Sequence, residues 1–225
     1  MKRLLFIILF SCIGANLFAQ QKDAVTIIAD RSSALIDSTM SGLNVRANIF
    51  NAELNKVNAL NPLDTLSLVP DTIKRNIGAI KDFLSYLDLY RSLSEKTLES
   101  IKDSVEHIRP LIPKMKRETY LKEFIDAYTL DHKAFEKFTL ALTDLYSKVL
   151  DALTFLKESG MTGRYKQLTS KEEYEKYKSD SEKYKKILAG IQKNAEKVKS
   201  AGEKSQRATT EASIAMQKAY GDVRK

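Results

Sequence analysis

The chain has 225 residues, 43% hydrophobic and 29% charged, which is enough apolar material to bury a core and too much for wholesale disorder. Its formal charge of +8 is uneven: residues 20–163 carry 19 basic and 20 acidic side chains, a net of −1, while residues 164–225 carry 16 and 9, a net of +7. Only 8 glycines and 4 prolines punctuate the chain, and they gather at a few places, so the stretches between them must be long, regular and helical.

Residues 1–19 read as a signal peptide. Met1-Lys2-Arg3 is a basic start, Leu4 to Phe10 is uninterruptedly apolar, and cleavage after Ala19 leaves Gln20 as the mature N-terminus, with Ala15 the weaker alternative. The apolar run from Leu4 to Ile13 is 10 residues long, about half of what a spanning helix needs. No later stretch approaches that length, so the mature chain is expected to be exported, periplasmic or extracellular, without a transmembrane helix. Leu9-Phe10-Ser11-Cys12 also resembles a lipobox, whose cysteine is acylated in bacterial lipoproteins. Against that, Ile13 to Phe18 stays largely apolar where a lipoprotein turns polar. If Cys12 leaves with the leader, no cysteine remains, which removes disulfides, thiol catalysis and cysteine-ligated metals.

Residues 20–225 are expected to form one all-α domain of four helices, about 23–60, 71–109, 114–159 and 171–221, each with an apolar stripe spaced 3 and 4 alternately. The first carries Ile36, Met40, Leu43, Ala47, Phe50, Leu54 and Val57. Ile73, Ile77, Ile80, Leu84 and Leu87 lead into Leu98, Ile101, Val105 and Ile108 on the second. The third runs from Leu121, Phe124 and Tyr128 to Val149, Ala152 and Leu156. Tyr177, Tyr184, Leu188, Ile191 and Val198 mark the fourth, followed by small residues. Asn61-Pro62 and Val69-Pro70 bound one loop, Pro110 and Pro113 bound a turn, Gly160 ends the third helix, and Ser170 with Glu173 forms a capping box for the fourth. Short connections between long helices predict an elongated antiparallel, up-down-up-down bundle with coiled-coil-like packing and a long C-terminal helix. A kinked continuous helix is the alternative at Pro110.

Chemistry is thin. His107 and His132 lack the Glu three residues earlier that a di-metal bundle uses, since Ser104 and Thr129 stand there. No His-Glu-x-x-His, phosphate-cradling glycine loop or nucleophile elbow occurs. His107 should face solvent and His132 should border the seam beside Asp131. The expectation is therefore no enzyme, no cofactor and no metal.

Nucleic acid is not expected as a partner, because an exported chain rarely meets it and no reader motif is present. The basic C-terminal quarter alternates lysine with glutamate, the pattern of a solvated helix surface, and its tyrosines leave peripheral membrane contact open. What remains is a cell-envelope protein acting through protein–protein interaction, with a partner or with itself. The alternative is a helical pore-forming or membrane-perturbing protein, although the richest apolar stretch, Leu140 to Leu156, contains Asp144, Lys148 and Asp151.

Two features are singled out. Arg91 and Asp131 occupy seam positions at equal height about a turn at 110–113, as Ser94 does nearby, and a pair between them would fix the hairpin's register. Ala195, Gly202, Ser205, Thr209, Ala212 and Ala219 make a stripe too small to bury much area. That stripe is expected to be a weakly docked surface available to another helix.

Overall fold

The computed structural model describes residues 30–31, 34, 37–39, 41–42, 45–46, 48–60, 69–109, 114–161 and 169–223, and their side chains except at 108, 114–121, 216 and 218–223. Cys12 and the leader lie outside the described residues. Every regular element among the described residues is a helix. We label them α1, continuous over 48–58 with helical residues back to 30, then α2 (Pro70–Ile108), α3 (Lys114–Ser159) and α4 (Lys171–Val223).

The ends follow local chemistry. Pro70 stands in the first turn of α2, where its missing N–H costs nothing. Gly160 has φ 62°, a left-handed conformation in which a Cβ is strained, and its N–H reaches the Leu156 carbonyl to close α3. At the start of α4 the Glu173 N–H donates to Ser170 Oγ at 3.2 Å, while Glu173 Oε2 accepts from the Ser170 N–H at 3.2 Å. This is the expected capping box.

The helices are 39, 46 and 53 residues long from α2 to α4, or about 58 to 80 Å at 1.5 Å per residue. Contacts set their directions. Between α3 and α4, Asp131 meets Thr209, Phe138 meets Gly202, Asp144 meets Asn194 and Phe155 meets Tyr184, so the two run antiparallel. Ser94 with His132 and Phe83 with Tyr146 make α2 and α3 antiparallel as well. α2 and α3 are therefore two antiparallel helices rather than one kinked helix. Arg46 with Asp131 and Asn58 with Tyr146 place α1 parallel to α3.

The core lies along these seams in two clusters. The larger is built on Ile73, Ile80, Leu87, Leu142, Val149 and Leu156, with Phe50 and Val57 from α1 and Tyr184 and Ile191 from α4. The smaller gathers Leu98, Val105, Phe124, Tyr128 and Ala212. Phe83, Tyr90, Tyr146 and Leu153 are also buried, though they lie off the expected stripes. A helix with neighbours on two sides buries a wider arc than one seam.

Candidate functional site

Between the two apolar clusters the four helices meet at a layer of polar side chains. Asp131 on α3 is fully buried, and the Arg46 side chain on α1 is 16% exposed. The Arg46 guanidinium donates to Asp131 Oδ2 at 2.7 Å and to Ser94 Oγ on α2 at 3.4 Å. Thr209 on α4 donates to the other carboxylate oxygen, Oδ1, at 2.5 Å. Ser94 Oγ also lies 3.1 Å from His132 Nδ1. The cation further rests over the Phe135 ring, 5.0 Å from its centroid.

Burial governs the titration of this layer. It lowers the His132 pKa from the usual histidine value, opposed first by Glu136, while Arg46 adds to the lowering and Asp131 and Glu95 oppose it more weakly. Burial likewise raises the Tyr128 and Tyr90 hydroxyls above the ordinary tyrosine value, with Arg46 opposing. The layer is thus a closed ion pair beside a neutral histidine. Its chemistry is to fix four helices at one height.

The expected pairing of Arg91 with Asp131 is not formed. Arg91 pairs with Asp88 one turn earlier on its own helix, and Asp131 takes Arg46 instead. Arg91 sits on the flank of α2, its side chain 25% exposed, where an i,i+3 partner lies closer than one across the seam. Height about the α2–α3 turn was the wrong criterion, because the cation at that height comes from α1. Ser94 is in the seam as expected, and it joins the network. His132 borders the seam, whereas His107 is exposed and contacts the Asp103 carbonyl through Nδ1.

The small-residue stripe is drawn into the monomer over most of its described length. A Cβ on Gly202 would come within 3.2 Å of the Phe138 ring, Ser205 is 5% exposed, Thr209 bonds Asp131, and Ala212 is fully buried. Ala195 is exposed, and the side chain of Ala219 lies outside the described residues. Here small size allows close approach to the large rings of α3, so the contact rests on fit rather than on α4's own apolar area. The expected free surface is, from Gly202 to Ala212, an internal seam.

Two surfaces remain open. On α4, Lys193, Lys197, Lys199, Lys204 and Arg207 are all exposed and form no ion pair among the described residues, against Glu196 and Glu203 in the same stretch. Between α1 and α2 runs an apolar groove of about 360 Å³, lined by Val45, Ile49, Leu89 and Leu93, each more than half exposed. Its signal in the sequence was two apolar i,i+4 pairs lying off the expected stripes. Among the described residues no cluster of metal-ligating side chains occurs, and no helix is long and apolar enough to cross a membrane. Comparison with protein-family profiles, with curated proteins and with solved structures finds no match to the chain.

Proposed function

We propose that the chain, once its leader is removed, is a single up-down-up-down four-helix bundle of the bacterial cell envelope that acts without catalysis by binding a protein partner. The partner docks on the outward face of α4. One observation carries this reading: from Lys193 to Arg207 the helix presents five exposed, unpaired cations against two acids, while its opposite face is packed on α3. Four of them, Lys193, Lys197, Lys204 and Arg207, fall within about 80° of one another round the helix and about 21 Å along it, a positive stripe that complements an acidic protein surface and speeds encounter with it.

The test uses the mature protein immobilised and exposed to envelope extract, beside a variant with Lys193→Glu, Lys197→Glu and Lys204→Glu. The expected result is a captured protein that is lost both in the variant and at about 1 M salt, where screening shortens the reach of charge to about 3 Å. A partner held equally by both proteins would place docking elsewhere. Dye release from liposomes by the purified protein would favour the membrane-perturbing alternative.

A further inference from the structure

A third open surface lies on α2. Asp88, Glu95, Glu99, Asp103 and Glu106 are all exposed, and they fall within about 80° of one another round the helix and about 27 Å along it. The cations of the same stretch, Arg91, Lys96 and Lys102, flank that arc. Asp88 and Glu106 pair within the helix, with Arg91 and Arg109, whereas Glu95, Glu99 and Asp103 form no ion pair among the described residues. This acidic stripe matches the basic one on α4 in spacing as well as in sign. Lys193, Lys197 and Lys204 are separated by 4 and 7 residues, and so are Glu95, Glu99 and Glu106. On straight helices these intervals set three cations and three anions at the same steps, about 6 and 10.5 Å along the axis. The stripes do not meet within one chain, since α2 and α4 each lie against α3 and no ion pair joins them among the described residues.

We infer that the acidic partner of the α4 face is the α2 face of a second copy of this chain. The inference rests on the reading of α4 as a docking surface and names what docks there. Charge alone would suit any acidic protein; the shared spacing is what selects the second copy. Orientation agrees with it. Both α2 and α4 run antiparallel to α3, so they point the same way, and two copies in one orientation lay α4 of the first parallel to α2 of the next. Such a contact joins two unlike patches, and each pair leaves one basic and one acidic stripe uncovered. Association therefore runs on past the dimer into a row of bundles.

The experiment follows the mass in solution of the purified mature chain by sedimentation, over a rising series of protein concentrations. It is run at about 0.1 M salt, where charge reaches about 10 Å, and at about 1 M, where it reaches about 3 Å. Wild type is compared with an α4 variant, Lys193→Glu with Lys197→Glu and Lys204→Glu, and with an α2 variant, Glu95→Lys with Glu99→Lys and Glu106→Lys. All six positions are exposed, so the helical circular-dichroism signal should not change. Expected is a wild-type mass that rises with concentration at the lower salt and stays that of the monomer at the higher. Each variant alone should remain monomeric, because like charges then face each other, and mixing the two in equal amounts should restore association. Variants that stay monomeric when mixed would overturn the inference. A wild type monomeric at every concentration would also overturn it, and if another protein were then captured from envelope extract through α4, the reading of that face would still stand. Association that survives in the α4 variant would overturn both.

Discussion

Asp131 accepts hydrogen bonds from two other helices, through Arg46 on α1 and Thr209 on α4, and is itself fully buried. Removing one side of such a pair leaves a charge desolvated and alone. Arg46→Met is therefore expected to cost about 3 kcal/mol in urea unfolding, at the low end for broken buried pairs because the guanidinium is not fully sealed. Arg91→Met should cost less than about 1 kcal/mol, its partner Asp88 being 67% exposed. Histidine adds a pH dependence. The folded-state pKa of His132 lies below its unfolded value, so above about pH 6.5 both states are neutral and nothing is lost. As pH falls below that value the unfolded chain binds a proton that the folded chain refuses, and stability declines until the folded pKa is reached. In His132→Gln that part of the slope should disappear, measured as urea midpoints from pH 7 to 5. Equal slopes in the two proteins would show that His132 titrates freely.

Within single elements, Gly190 and Gly202 of α4 predict opposite outcomes. Nothing lies within 4 Å of a Cβ on Gly190, so Gly190→Ala should raise stability by about 0.5 to 1 kcal/mol through helix propensity alone. Gly202 faces Phe138, and a side chain larger than alanine must displace that ring or push α4 off α3. Gly202→Leu should lower the thermal midpoint, and an unchanged midpoint would mean that the seam is loose. The stripes and caps of these helices were legible because they are local: Ile80, Leu87, Leu142, Val149 and Leu156 fall at the expected spacing, as do Gly160 and the Ser170–Glu173 box. The partner of Asp131 was not legible. No single turn sets the height of α1 against α3, so nothing in the sequence placed Arg46 opposite it. The role of the small residues was misread for a related reason. Their apolar area is small, but the rings of Phe138 and Tyr128 on α3 supply the bulk that fills the seam.

For the whole molecule, the leader and the bundle make separate predictions. Mass spectrometry of the protein recovered from the envelope should give a chain beginning at Gln20, and an acylated chain beginning at Cys12 would replace export in free form with a lipid anchor. The bundle itself rests on one claim, that a buried polar layer ties α1, α2, α3 and α4 together within a monomer. Amide hydrogen exchange on wild type and Arg46→Met tests it most directly. In the monomeric wild type, amides of Ser205 to Ala212 should be protected as strongly as those of Leu142 to Val149. In Arg46→Met, protection should fall together around Phe50 on α1 and from Ser205 to Ala212 on α4, while the far ends of α2 and α3 near Ile73 and Leu156 lose least. Rapid exchange from Ser205 to Ala212 in the wild type, or a loss confined to α1 in the variant, would contradict the account.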